Sequence, residues 1–147
     1  MKLDAVRRYR AQVEDVARME LLVARQLLQD ADMTCQALEA QMQAMSEGYV
    51  AKAGEGMVLE EFIELQAACD AQADSLAQAR QFEARLREEW NRKQQDLRDA
   101  MQDRRTLDRL AERQRRQSLA VQHRLEHMQM DEAARRAGAM GGLQNPL

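Results

Sequence analysis

The apolar positions of this chain fall into two stripes, one on each side of a glycine-punctuated break at 48–56, and the stripes mirror each other. Backwards from the break, Met45, Met42, Leu38, Cys35, Ala31, Leu28, Ala24 and Leu21 recur at alternating spacings of three and four. Forwards, Leu59, Phe62, Leu65, Cys69, Ala73, Leu76, Ala79 and Phe82 do nearly the same. Such spacing averages about 3.5 residues, the period that keeps an apolar seam facing a partner helix. Matched in mirror order, every pair of residue numbers adds to 103 or 104, which predicts an antiparallel hairpin with its tip near residue 52. The pairing continues through Ala17 with Leu86, Val13 with Trp90, Val6 with Leu97 and Leu3 with Met101. Arg10 alone interrupts it, opposite Lys93 and Gln94. Cys35 and Cys69 are expected to meet across this seam, and Trp90 to be one of its knobs.

The pattern therefore predicts an all-α chain, a two-helix antiparallel coiled-coil hairpin with a longer second helix, over residues 1–137. Helix one is expected at 3–47. The stretch GYVAKAGEG has three glycines and no apolar period, so a tip loop is expected at 48–57. Helix two is expected at 58–137, with Glu60 and Glu61 at its positive end and Arg135 and Arg136 at its negative end. Its apolar positions run on through Leu107, Ala111, Val121, Leu125 and Met128 after helix one is used up, which predicts an overhang from about residue 102. Gly138, Gly141, Gly142 and Pro146 mark 138–147 as a disordered tail.

Composition agrees. With one proline, six glycines and 3% aromatic residues among 147, and 32% charged residues, the chain suits a narrow helical seam better than a globular core. The net charge of −3 is small beside 22 basic and 25 acidic residues, which argues against nucleic acid as a partner. The start MKLDAVRRYR lacks the apolar core of a secretory signal. No stretch reaches the roughly 18 uncharged residues of a membrane span, so a cytoplasmic protein without membrane insertion is expected, its two cysteines as thiols.

The charge changes sign along helix two. Residues 58–100 carry ten acids and six bases, residues 101–147 nine bases and six acids. Arg104, Arg105, Arg109, Arg113, Arg115 and Arg116 dominate the basic part. Such a run is either a solvated helix face or a contact surface for an acidic partner, for which the planar guanidinium is suited. At the tip, Tyr49 with Met42, Met45, Met57 and Phe62 forms a cluster that reads equally as seam closure and as an adaptable protein-binding surface.

Catalytic and metal motifs are weak. His123, Arg124, Leu125, Glu126 and His127 match the H-x-x-E-H pattern of one zinc peptidase class, but these are the chain's two histidines and nothing supplies a third ligand or a pocket. They read as polar residues of a solvated face. Gly54, Glu55 and Gly56 lack the strand, third glycine and lysine of a phosphate loop. No serine or threonine has a histidine near it to act as a base. No enzyme activity, cofactor or metal is expected.

The segment TLDRLAERQRRQ, followed by QHRLEHMQMDEAARR, on an all-helical chain of this length with an early tyrosine-bearing arm, resembles the flagellar FliJ proteins. The related stalk proteins of type III secretion, the YscO group, are similar. The resemblance implies a component of the flagellar type III export apparatus, peripheral to the inner face of the cell membrane. Such a component is a stalk that inserts into the hexameric export ATPase, links it to the membrane export gate and engages export chaperones. Carried onto this sequence, it implies a gate-docking face of Leu38, Met42, Met45 and Tyr49 on helix one with Phe62, Gln66, Cys69 and Ala73 on helix two. The arginine-bearing overhang is then the ATPase contact. The alternative is a helical adaptor that uses the overhang to dimerise or to join another bundle. Against a strong self-dimerising seam, Gln72, Glu83, Lys93, Arg104, Gln114 and Ser118 fall on the strict repeat of helix two.

Overall fold

The computed structural model describes residues 2–143 and consists of two helices, α1 (Lys2–Glu55) and α2 (Leu59–Leu143). The two are antiparallel, and α2 is the longer: an all-α hairpin with an extended second helix. The connection is three residues, Gly56, Met57 and Val58. Gly56 has φ of 95°, in the left-handed region, and ends α1. The carbonyl of Val58 then accepts from the amide of Phe62 at 3.0 Å, closing the first turn of α2.

Helix α1 therefore absorbs most of the expected tip loop. Met42, Met45 and Tyr49 continue its seam period, and all three are half-buried. Tyr49 reaches the ring of Phe62, with centroids 6.0 Å apart and planes tilted at 54°. Gly48 and Gly54 each weaken a helix by about 1 kcal/mol relative to alanine. Gly48 is followed by Tyr49, which contacts Phe62 across the turn, and among the described residues only Gly56 adopts a backbone that needs glycine. At the other end, α2 runs through 138–143, inside the expected tail. Residues 144–147 of that tail lie outside the described residues.

The chain divides into two compact units, one of residues 11–101 and one of residues 1–10 with 102–147. Within the first, the seam is built largely from small side chains: Ala17, Ala24, Ala31 and Cys35 of α1 and Leu76 and Ala100 of α2 are buried. Across it, Lys93 Nζ donates to Glu20 at 2.9 Å, Arg80 to Glu39 at 2.8 Å and Gln72 to Gln41 at 3.0 Å. These pairs correct the expected register. Their residue numbers add to between about 113 and 119, so α2 is displaced by about eleven residues, three turns at roughly 3.6 residues each. A tip centred near Met57 rather than residue 52 requires a shift of that size.

The consequences follow residue by residue. Cys35 does not face Cys69; the group beside its thiol is the Glu83 carboxylate. Both cysteines are free, Cys35 buried and Cys69 half-buried. Phe82, expected on the seam, is 53% exposed, and Glu83 takes the half-buried position next to it. Leu59 and Phe62 are also exposed. The register carries half-buried Trp90 from the level of Val13 to that of Ala24, beside Glu89 and Lys93. Glu14, not Val13, is the buried group one turn before Ala17; it is 2% exposed and accepts a 2.6 Å bond from Arg18.

Within the second unit the pairing of α1 with α2 is polar. Arg7 donates to Asp108 at 3.1 Å and Arg10 to Asp103 at 3.3 Å. Arg104 of α2 also reaches Asp108, at 3.3 Å. Arg10 thus has an acidic partner, and Val6, expected on the seam, is exposed. Leu107, Asp108, Ala111 and Glu112 are half-buried, and every residue from 113 to 140 is exposed. The unpartnered part of α2 begins near residue 113, not 102.

The turn supplies a test with two signs. No heavy atom lies within 4 Å of a Cβ built on Gly54 or Gly56. Gly54→Ala should therefore stabilise by about 0.5–1 kcal/mol through helix propensity. Gly56→Ala should destabilise by about 1–2 kcal/mol, because alanine resists positive φ. Thermal unfolding followed by circular dichroism measures both; equal shifts of one sign would contradict the turn described.

Candidate functional site

The residues expected to act fall on two surfaces, one in each unit. Of the eight tip residues, Leu38, Met42, Met45, Tyr49, Cys69 and Ala73 are half-buried, while Phe62 and Gln66 are exposed. Gln66 Nε2 donates to Asp70 on its own helix at 3.5 Å. The half-buried side chains line the seam and spend much of their apolar area there, so they serve more as a platform than as a free face. The apolar groups free at the tip are others: Val50, Val58, Leu59 and Ile63, 58–70% exposed. Sequence reasoning passed over Val50, Val58 and Ile63 because none of them lies on the seam period. Their signal was large aliphatic side chains flanking a turn, off that period.

The six arginines divide into three groups. Arg104 is half-buried and belongs to the Asp108 cluster with Arg7. Arg115 and Arg116 both donate to Glu112, at 2.8 Å and 3.3 Å. The Arg115 hydrogen bond, followed by its charge and then by Arg116, holds the Glu112 carboxyl below its ordinary range. Arg105, Arg109 and Arg113 are exposed and make no ion pair among the described residues. Spaced four apart, they lie on one face of α2, a row of three available guanidinium groups. Past them, Gln114, Ser118, Val121 and Leu125 line a shallow groove along α2 that continues the seam period with no α1 opposite.

His123 and His127 are exposed, and His123 Nδ1 lies 3.9 Å from Glu126. No group of three or more His, Cys, Asp or Glu side chains among the described residues is placed to hold a metal. None of the described helices is long and apolar enough to cross a membrane.

A helical hairpin with a longer second helix, a basic helix face and exposed aliphatic side chains at its tip fits a coiled-coil component. Residues 1–142 match the sequence model of the family described as Flagellar FliJ protein, and the chain belongs to that family. It is thereby a flagellar export-related protein, from a family of non-catalytic helical export components. No curated protein and no solved structure matches the chain.

Two titratable groups of the seam fix its pH response. Burial, then the Glu83 carboxylate, pushes the Cys35 thiol above its ordinary range. The hydrogen bond to Glu20 does the same for Lys93. In each case the folded state holds its proton more tightly than the unfolded chain. The stability so gained is complete below the unfolded value and is lost as pH rises through the folded one. Urea midpoints should accordingly fall on the alkaline side, first past the ordinary thiol range and again past the lysine range. Cys35→Ala should remove the first step. At neutral pH, iodoacetamide should alkylate Cys69 faster than Cys35, read by mass spectrometry, because the thiolate is the reactive form.

Proposed function

We propose that this chain is a stalk of the flagellar export apparatus, joining the hexameric export ATPase to the cytoplasmic side of the membrane export gate and escorting export chaperones. It performs no catalysis itself, and it associates peripherally with the membrane through the gate. What supports this reading, beyond family membership, is the form of α2. Its residues 113–140 are exposed throughout, next to a row of arginines, Arg105, Arg109 and Arg113, that no carboxylate among the described residues engages. Unsupported helix in water is marginal, so a segment of this length retains helix best when a partner covers it.

In this arrangement Arg105, Arg109 and Arg113 face acidic groups of the ATPase ring, with Arg116 on the same side. Arg104, Arg115 and Arg116 are held by carboxylates of the chain and orient α2 locally. At the other end the gate receives the tip. Leu38, Met42, Met45, Tyr49, Cys69 and Ala73 form the platform there, and Phe62, Gln66, Val58, Leu59 and Ile63 the contact. Arginine at the ring and aliphatic side chains at the gate make the two attachments chemically independent, so each can be lost alone.

The experiment is hydrogen exchange of the chain alone and with purified export ATPase, with capture of the ATPase as a second readout. Alone, the amides of 113–137 should exchange fast and those near Leu28 and Leu76 slowly. The ATPase should protect 113–137. Replacing Arg105, Arg109 and Arg113 by glutamate should abolish that protection and the capture, while gate binding persists. Protection that survives the triple reversal would reduce the arginines to a solvated face and remove the assignment of this segment to the ATPase.

A further inference from the structure

Every buried residue among those described lies within 11–101. In the other unit the first turns of α1 meet α2 without one. Of residues 2–10 only Leu3, Arg7 and Arg10 are half-buried, and the rest are exposed, Val6 and Tyr9 included. What crosses to α2 is ionic: Arg7 with Asp108 at 3.1 Å and Arg10 with Asp103 at 3.3 Å, the four side chains 39–55% exposed. Pairs this exposed contribute little to stability. The first of them is also shared at both ends. Asp108 accepts from Arg104 on its own helix at 3.3 Å, and Arg7 lies 3.9 Å from Asp4 on its own. Parting the helices here therefore strands neither charge, since each keeps a mate one turn away. The segment is weak as a helix besides, because Lys2, Arg7, Arg8 and Arg10 face the single acid Asp4, and a helix end without packing frays.

We propose that residues 2–10 are a releasable strap, an ionic cover that closes on the seam face of α2 and is freed by competing charge. Closed, it lies along Arg104, Leu107, Asp108 and Ala111, all half-buried. The residue numbers of its two pairs add to 113 and 115, so Leu3 stands level with Ala111. Open, it returns that face to solvent, and the unpartnered part of α2 lengthens from about residue 113 back to about residue 102. The strap thus sets how much of α2 is available to another surface. Residues 11–101 do not open with it, because Ala17, Ala24, Ala31 and Leu76 are held there by burial, which screening by salt does not weaken. Release is consequently local, a fraying of one helix end beside an intact hairpin.

The strap operates whether or not the chain is a stalk, and neither ATPase nor gate enters its test. Hydrogen exchange of the full chain is read by mass spectrometry at about 20 mM and about 500 mM sodium chloride, between which the screening length falls from roughly 20 Å to roughly 4 Å. The amides of 6–10 should exchange about threefold or more faster at high salt, and those of 24–35 at an unchanged rate. Arg10→Glu should give the same acceleration at low salt. Combining Arg10→Glu with Asp103→Arg should restore slow exchange, which a loss of helix propensity alone would not allow. Exchange at 24–35 reports whether each variant keeps its fold. For the covered face, Ala111→Cys should be alkylated by iodoacetamide about threefold or more faster when combined with Arg10→Glu, with peptide mapping separating position 111 from Cys35 and Cys69. Exchange at 6–10 that ignores salt overturns the proposal, as does a swapped pair that fails to restore it. Alkylation at 111 that is unchanged, or acceleration that reaches 24–35 equally, does the same.

Discussion

The position of one left-handed residue decides which side chains of this hairpin meet. An apolar seam repeating every 3.5 residues is nearly degenerate under sliding, because a displacement of about eleven residues returns apolar opposite apolar. Burial alone therefore leaves several registers close in energy. The turn at Gly56 breaks the degeneracy, for a three-residue connection leaves no slack to slide. Charge reinforces it. The observed register joins Glu20 to Lys93 and Glu39 to Arg80, whereas a tip at residue 52 brings Arg10 against Lys93. Each exposed pair contributes only about 0.2–1 kcal/mol, yet the difference between attraction and repulsion selects among registers that packing cannot separate.

The thinness of the seam explains why so much apolar surface is left over. Alanine and cysteine fill most of its buried positions, and neither buries much area, so the hairpin gains less per residue than a leucine-rich coiled coil would. A helix of a two-helix hairpin has one inward face, and every aliphatic residue outside it remains in water unless a partner arrives. Val16 to Leu27 on α1, Val58 to Ile63 at the tip and Val121 to Met128 on α2 are of this kind. The exposed residues of such a protein are consequently more informative about its interactions than its core.

Much of the fold was legible in the sequence: two helices, antiparallel, the second longer, with the α1 seam read nearly residue by residue. The register was not, and the reason lies in GYVAKAGEG. Three glycines suggested a loop throughout, but glycine in a helix costs only about 1 kcal/mol, and only φ distinguishes Gly56 from Gly48 and Gly54. An error of about five residues in the tip becomes one of about ten in every pair, enough to place Cys69 opposite Cys35 and to put Phe82 on the seam. Glu14 and Glu83 were invisible for another reason. Hydrophobic periodicity has no means of nominating a carboxylate for an inward position; Arg18 donates to Glu14 and Arg87 to Glu83, each from four residues on, and Glu83 also meets the Cys35 thiol. Arginine at 104–116 was conspicuous as composition, but its division into engaged and available groups depends on Glu112 and Asp108, which only geometry reveals.

That division bears on how the second unit holds together. The first ten residues of α1 are attached to α2 by Arg7 and Arg10 through Asp108 and Asp103, with Leu3 half-buried and Val6 exposed. A junction of this kind draws its strength from charge–charge contacts, which salt screens within about 10 Å, rather than from burial, which salt does not weaken. The two ends of the hairpin are thus secured by different physics. At the tip, an aromatic contact and a backbone turn leave no dependence on ionic conditions, whereas at the end where α2 runs free the pairing is ionic and adjoins the arginines open to other carboxylates. An acidic partner at Arg105, Arg109 and Arg113 would therefore meet a surface whose neighbouring contacts are of the same kind and comparable strength, and its binding and the local closure of α1 on α2 would respond to the same change in ionic strength.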